Sequence, residues 1–319
     1  MRILVTGGAG FIGSHITDAL LAAGHDVAVI DDLCSGSLEN VPSKAKFYQV
    51  DIRDTQAVQR AFEEFRPDAV SHHAAQMSVS RSVVEPHFDA EVNLLGLINI
   101  ASAAVAVKSK RIVFASSGGV LYGEVTSPAP EETPANPISP YGISKWGGEQ
   151  YLKFFSREHG LSSLALRYAN VYGERQNPHG EAGVVAIFCT RLLRGESAAI
   201  NGDGHYVRDY VHVSDVVTAN LLALQSEAEG FDALNVGTGV PTDVNQLAEA
   251  IRTNCQQELE RLGKSTIIPE LKHGPARPGD LRSNLVSFQK AKQKLGWSPE
   301  IDLATGLKRT VHWFAQKLQ

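Results

Sequence analysis

The first 24 residues constrain this chain more than any other stretch. Arg2-Ile-Leu-Val-Thr6 is a short apolar run without alternation, the pattern of a parallel strand buried on both faces. Gly7, Gly10 and Gly13 follow at once, then an apolar helix pattern from Phe11 to Leu21 that stops at Gly24. Glycines in such a turn let the backbone come close to a pyrophosphate, and the helix N-terminus offers it unpaired amides and the positive end of a dipole. The spacing is Gly-x-x-Gly-x-x-Gly rather than the commoner Gly-x-Gly-x-x-Gly, and a glycine turn alone need bind nothing. A second apolar run, Asp26 to Ile30, leads to Asp31, about 20 residues beyond the turn, where a carboxylate accepts hydrogen bonds from an adenosine ribose. No arginine directly follows Asp31 to receive a phosphate, and Asp32 adds a second negative charge. The pair predicts NAD rather than NADP.

The alternation continues along the chain. Apolar runs at 47–50, 69–73, 111–115 and 163–167 alternate with helical patterns at about 55–65, about 84–106 and after Pro140. Repeated βα units of this length imply an α/β fold with a doubly wound parallel sheet, and ligands bound beyond the carboxyl ends of its strands. Asp51, Ser116 and Ser117 fall at such ends and Asn93 on the long helix, although each residue taken singly could equally serve as a cap or turn. The 319 residues, 43% of them hydrophobic and 20% charged, suffice for one large domain or two closely joined ones. No repeat, low-complexity tract or polar linker separates them, so a second domain must be interwoven with the first.

Composition also excludes partners. A net charge of −5 lacks the basic excess that nucleic acid or an anionic membrane requires. Cys34, Cys189 and Cys255 are widely spaced, with no cluster of metal-ligand spacing, so no metal is expected. The glycine motif begins at the second residue and no apolar run reaches bilayer length, which predicts a cytoplasmic enzyme without a membrane partner.

Residues 139 to 145 carry the candidate chemistry. Ser139 and Pro140 read as N-cap and first helical position, which puts Tyr141 and Lys145 one turn apart on one face. A free tyrosine titrates near pH 10, too high for a base at neutrality, but an adjacent ammonium favours the phenolate. Many surface helices carry Tyr-x-x-x-Lys by accident, so the dinucleotide motif gives the pair its meaning. Gly147 and Gly148 lie inside this helix, at roughly 1 kcal/mol each relative to alanine, and are expected to permit close packing against the sheet or a partner subunit. Beyond residue 170 the chain turns rich in glycine and proline. Arg208 and Arg277 stand there as isolated cations suited to a phosphate-bearing ligand, although Arg208-Asp209 could equally be a structural ion pair.

These residues closely resemble the extended short-chain dehydrogenase/reductase superfamily and, within it, the UDP-glucose 4-epimerases. The match runs nearly end to end: TGGAGFIGSH at 6–15, Asp31, Asp51-Ile52, NLLG at 93–96, SSGGVLYGE at 116–124, SPYGISK at 139–145, LRYANVYG at 166–173, GDGHYVRDYVHVSD at 202–215 and RPGDL at 277–281. The resemblance implies a Rossmann-type sheet with a smaller interwoven α/β substrate domain: residues 1–170 and about 212–240 for NAD, about 171–211 and 241–319 for the nucleotide sugar. It implies that NAD+ removes hydride from C4 of a UDP-hexose and returns it to the other face of the 4-keto sugar. Tyr141 would act as general base and then acid, Lys145 would lower its pKa and bond the nicotinamide ribose, and Ser117 would bond the C4 oxygen. Gly7, Gly10, Phe11, Ile12, Asp31, Asp51, Ile52, Asn93, Tyr141 and Lys145 match the NAD site, and Ser116, second to Ser117 by position for the C4 oxygen, is counted with them. Asn170, Arg208, Arg277 and Asp280 match positions that hold the UDP moiety.

The resemblance also separates chemistries. Dehydratase relatives place an acid pair directly after the hydroxyl residue and decarboxylase relatives usually carry a glutamate there; this chain has Gly118 and Gly119, with Glu124 further along. Asn284 aligns with the residue that walls off the sugar C2 substituent and is smaller than tyrosine, so an N-acetyl group is expected to fit. UDP-glucuronate epimerisation, dehydration, decarboxylation or another oxidoreductase activity, and a non-enzymatic NAD-binding role, are the alternatives. Family members commonly dimerise through the long helices, here near 84–106 and 141–159, which predicts a homodimer.

Overall fold

The structure is a computed structural model that describes residues 1–178, 183–264, 267–276 and 281–318. Its strands along the chain are β1 (Arg2–Thr6), β2 (Asp26–Asp31), β3 (Lys46–Gln49), β4 (Ala69–His72), β5 (Arg111–Ser117), β6 (Ser162–Tyr168) and β7 (Asn170–Tyr172). There follow β8 (Ala199–Asn201), β9 (Val207–Arg208), β10 (Tyr210–His212), β11 (Phe231–Val236), β12 (Thr242–Asp243), β13 (Lys272–Gly274) and β14 (Ser283–Asn284). The helices of the first half are α1 (Phe11–Ala22), α2 (Thr55–Phe65), α3 (Val79–Val84), α4 (Pro86–Ala90), α5 (Gly96–Ala106), α6 (Gly118–Leu121) and α7 (Pro140–His159). Those of the second half are α8 (Val184–Leu193), α9 (Val213–Gln225), α10 (Val244–Arg261), α11 (Gln289–Leu295) and α12 (Leu303–Lys317).

Seven strands form one parallel sheet in the order β11-β6-β5-β4-β1-β2-β3. The expected doubly wound α/β class is the class observed. Strand order reverses on either side of β1, so the crevice for a ligand opens at the carboxyl ends of β1 and β4. Side chains of β1 divide between two layers because successive strand residues face opposite ways. Ile3 and Val5 pack with Ile16, Leu20, Val216 and Ala219 of α1 and α9. Leu4 packs on the other face with Phe62, Leu97, Ile100 and Leu152 of α2, α5 and α7. Both faces are covered, which is why the strand reads as an uninterrupted apolar run. A third core joins Phe188, Leu192, Leu247, Ile251, Leu307 and Phe314 of α8, α10 and α12.

The long helix expected over 84–106 is a composite. One turn of π-helix, Glu91–Leu95, joins α4 to α5, and such turns commonly mark functional positions. The run 86–106 has the length and composition to cross a bilayer, contrary to the sequence expectation. It is a core helix here: Leu97, Ile100, Ala101 and Ala104 are buried against the sheet layer. Gly148 explains its place in α7, because a Cβ there would lie 2.9 Å from Leu97 Cδ2 and 3.0 Å from Phe114 Cζ. A Cβ on Gly147 would meet Leu94 Cδ2 at 3.1 Å. Cys189 and Cys255 are buried and Cys34 is exposed. Among the described residues, no group of three or more His, Cys, Asp or Glu side chains could hold a metal ion.

Candidate active site

The glycine turn forms a cradle at the end of β1. Gly7 has φ +69°, and a Cβ on it would lie 2.6 Å from the Ala74 amide nitrogen. A side chain on Gly13 would collide with the Gly7 carbonyl. Gly10 is the N-cap of α1, with no side-chain cap and no acid in the first turn. The Phe11 and Ile12 end of the helix is therefore suited to an anion. Asp31 closes β2, is 8% exposed, and accepts hydrogen bonds from the amides of Ala9 (3.0 Å) and Leu33 (2.9 Å). Burial raises its pKa, and those two amides oppose the rise. Asp31 thus braces the glycine turn from the position expected for the ribose ligand.

Asp51 and Ile52 lie at the start of the next loop. Arg53 grips the Asp51 carboxylate at 2.6–3.1 Å and holds its pKa below the usual range. A cavity of about 450 Å³ lined by Asp51, Arg53, Asp54, Glu91 and Leu95 opens beside it. Ile52 is buried, and a Cβ on Gly96 would lie 2.6 Å from its Cδ1. Asn93 sits in the π-turn, 3% exposed. Its Oδ1 accepts the Gln76 amide (3.0 Å) and its Nδ2 donates to the Gln76 carbonyl (2.9 Å) and Asp89 (2.9 Å). The side chain is engaged in bracing the loop after β4.

Tyr141 and Lys145 sit on one face of α7, where the sequence puts them. Ser139 caps the helix by accepting the Gly142 amide (3.2 Å), Pro140 occupies the first turn, and the Tyr141 amide donates to Ser82 Oγ (3.1 Å). Lys145 is 4% exposed; its Nζ lies 4.9 Å from the Phe114 ring centroid and 5.8 Å from that of Tyr141. Ser117, at the end of β5, lies close enough to the Tyr141 phenol for its hydroxyl to draw the phenol pKa down. Tyr141, Lys145 and Ser117 are therefore brought together. Burial lowers the Lys145 pKa to about 8, against an opposing pull from Asp89. Burial raises the Tyr141 pKa, the Asp89 charge raises it further, and the Ser117 hydroxyl lowers it. In the chain without its cofactor, desolvation and the nearby Asp89 anion outweigh the influence of Ser117 on the phenol.

Ser116 has a different partner. Its hydroxyl donates to Glu149 Oε1 (2.6 Å), and Glu149 is fully buried and paired with Arg167 at 2.7 and 2.9 Å. Arg167 also donates to the Tyr122 hydroxyl (2.8 Å). Ser116 thus ties β5 to α7 through a buried ion pair, while the next residue along the strand reaches Tyr141.

The substrate candidates gather on small sheets. Arg208 in β9 pairs in register with Asn284 in β14 on one side and with Thr242 in β12 on the other. Asn170 in β7 pairs with Tyr210, and its Nδ2 donates to the Asp209 carbonyl (3.2 Å). The Asp209 carboxylate is buried and accepts from Thr238, Gly239 and Val286. Asn284 is 1% exposed; its Nδ2 donates to the Gly123 carbonyl (3.2 Å), and its Oδ1 is buried without a hydrogen bond. Arg277 and Asp280 lie outside the described residues.

Sequence reasoning passed over Asp89, Gln76 and Ser144, which form the buried polar floor beneath Tyr141 and Lys145. Asp89 and Asn93 stand four apart in an apolar helix pattern, and that pair of polar residues on one face was the available signal.

A doubly wound sheet with an uncapped glycine turn at β1 and a serine, tyrosine and lysine gathered at β5 defines a dinucleotide-dependent enzyme acting at a hydroxyl. The chain belongs to the NAD dependent epimerase/dehydratase family, whose model matches residues 3–237. It is 44% identical over 325 residues to the UDP-glucose 4-epimerase of Mycolicibacterium smegmatis, covering 100% of each chain. The solved UDP-glucose 4-epimerase of Thermotoga maritima with UDP-glucose is 48% identical with a TM-score of 0.94, covering 100% of both chains. That of Thermus thermophilus, complexed with NAD, is 46% identical with a TM-score of 0.91, over 98% of this chain and 99% of the other. The cofactor is NAD, and the cradle fits it: the turn admits only glycine where a pyrophosphate would pass, and an acid stands at the end of β2.

Proposed function

We propose that this enzyme interconverts the C4 epimers of a UDP-hexose, UDP-glucose and UDP-galactose. The observation that carries the reading is the Ser117–Tyr141–Lys145 group set beside Gly118 and Gly119. Eliminating water would require an acid and a base next to Ser117. A side chain on Gly118 would meet Val286 Cγ1 at 2.7 Å, and Glu124 is exposed, its carboxylate accepting the Arg282 amide (3.4 Å). Both features favour epimerisation over dehydration or decarboxylation.

Bound NAD+ supplies the hydride acceptor and a positive ring. Gly7, Gly10, Phe11, Ile12, Asp31, Asp51, Ile52 and Asn93 form its cradle, with Lys145 at the nicotinamide ribose. Tyr141 takes the C4 hydroxyl proton, Ser117 bonds the C4 oxygen and helps relay that proton, and Lys145 supplies the neighbouring positive charge. After the 4-keto sugar presents its other face, the hydride returns to C4 and Tyr141 returns the proton to the oxygen, so the reaction has no net redox change. Asn170, Arg208, Arg277 and Asp280 hold the UDP moiety while the sugar turns.

The N-acetylated pair is the second reading, favoured by Asn284. It is small, buried, and carries an oxygen without a hydrogen bond in the segment assigned to the sugar C2 wall. The NAD-binding part comprises residues 1–170 and about 212–240, and the remainder forms the nucleotide-sugar part. The assembly is a homodimer through α5 and α7, an assignment supported by Ile143, Trp146 and Phe154, which are 53%, 40% and 43% exposed along one side of α7. The enzyme works in the cytoplasm, in galactose metabolism.

The test is incubation with UDP-galactose and, separately, UDP-N-acetylgalactosamine without added reductant, resolving products while following NADH absorbance. Conversion to the gluco epimers without net NADH is the expected result. Stoichiometric NADH, a stable keto product or an unchanged sugar would overturn the assignment, and the ratio of the two rates decides the Asn284 reading.

A further inference from the structure

Asp89 is a carboxylate buried in the interior of the site. It lies on α4 with no exposed surface, and among the described residues no cation stands within ion-pair distance of it. Among the described residues its oxygens accept from neutral donors alone: Gln76 Nε2 (2.8 Å) and Asn93 Nδ2 (2.9 Å) on Oδ1, Ser144 Oγ (2.6 Å) on Oδ2. Ser144 immediately precedes Lys145 on α7. Burying a carboxylate on neutral donors alone is costly, and a nearby buried ammonium is what such an arrangement calls for.

We propose that Asp89 is a positioning residue for this site: a fixed anion that acts through Lys145, keeping the ammonium charged in its buried place and anchoring its stretch of α7 through Ser144. The proposal rests on the epimerase reading for its catalytic consequence only. The groups around it allow that role. His72 ends β4 and His73 follows it; both feel the Lys145 charge, and burial keeps both neutral, His73 with a pKa of about 3. From β5, Phe114 offers only a ring face, and from α7 comes the phenol of Tyr141. The outer charges are engaged at the surface, Arg81 with Glu85 (2.7 Å) and Glu91 with Arg53 (3.5 Å). His87, the remaining titratable residue of α4, is exposed. Asp89 is the anion whose charge acts on both Lys145 and Tyr141, in each case favouring the protonated form.

The substitution Asp89→Asn isolates charge from hydrogen bonding. Its Oδ1 can accept from Gln76 and Asn93 as before, and its Nδ2 can donate to Ser144, whose hydroxyl accepts as well as it donates. Removing the anion makes both Tyr141 and Lys145 release protons more readily. The whole pH profile of kcat for UDP-galactose should therefore move toward acid by about half a unit or more. A purely structural loss would lower the profile without moving it. Ser144→Ala, which keeps the charge, should lower kcat with its limbs in place.

A second readout needs no sugar. In cofactor-free protein, a double-mutant cycle of Asp89→Asn and Lys145→Met by urea denaturation should show coupling at pH 7 that disappears by pH 10.5, where the lysine of the folded protein is neutral. Absent or pH-independent coupling overturns the proposal, even if no UDP-sugar is turned over. Folding of the double variant where Asp89→Asn alone does not fold would support it, since the unpaired cation is then the fault. Failure of both to fold would assign Asp89 a structural role instead.

Discussion

Two side chains on α7 carry opposite burdens from the same burial. Tyr141→Phe removes the proton acceptor and should lower kcat by about 10²–10⁴-fold while the UDP-sugar still binds, measured by single-turnover conversion of UDP-galactose. Ser117→Ala should cost less, because the phenol remains. Unchanged turnover in Tyr141→Phe would remove Tyr141 from the reaction. Lys145 gives a stability prediction with a definite sign. Its pKa falls from 10.5 to about 8 on folding, so between those pH values the unfolded chain binds more protons and stability rises with pH. The cost of the buried ammonium, on the order of 3 kcal/mol, is full below pH 8 and gone above 10.5. Tyr141 acts in the other direction: its raised pKa leaves stability falling above pH 10, as the unfolded chain loses a proton that the folded chain keeps. Lys145→Met in cofactor-free protein should therefore stabilise most near pH 7 and progressively less toward pH 10, by urea denaturation. A gain that stays constant with pH would contradict the lowered pKa.

At the scale of elements, the glycines of α7 separate helix propensity from packing. A Cβ on Gly148 would meet Leu97 and the edge of Phe114 at 2.9 and 3.0 Å, both inside the core layer. Gly148→Ala should destabilise by about 1–3 kcal/mol through overpacking, despite the helix-propensity gain of roughly 1 kcal/mol. Gly147→Ala meets one Leu94 methyl at 3.1 Å and should change stability far less, because that end of a side chain can shift. Thermal unfolding of the two variants checks the order; equal effects would sink the packing account. The close-packing role was legible as a need, since two glycines inside a helix demand a reason. Which neighbours they serve was not, because α5 and β5 approach α7 only through the tertiary arrangement. The π-turn at 91–95 was likewise invisible: hydrophobic periodicity registers a helix but not one inserted residue.

At the scale of the whole molecule, the proposed homodimer is tested on the face of α7 bearing Ile143, Trp146 and Phe154. Trp146→Glu with Phe154→Glu should convert a dimer to a monomer by sedimentation, with the fold retained by circular dichroism, since neither side chain belongs to the buried core. A monomeric wild-type protein would end the homodimer assignment.

The sequence by itself determined the class of fold, the glycine cradle and the pairing of Tyr141 with Lys145, because each depends on local order: strand runs, a turn that only glycine fits, and two residues one helical turn apart. It also put Ser117 on the same strand end as Ser116, without telling which hydroxyl faces the phenol. Tertiary structure made that choice through strand alternation, turning Ser116 to Glu149 and Ser117 to Tyr141. It alone supplied Asp89, Gln76 and Ser144, three residues from three segments that meet only when the sheet layers close. It also set the charge state of the site. A pKa depends on which groups lose water together and which charges lie across the interior, and residues far apart along the chain settle both.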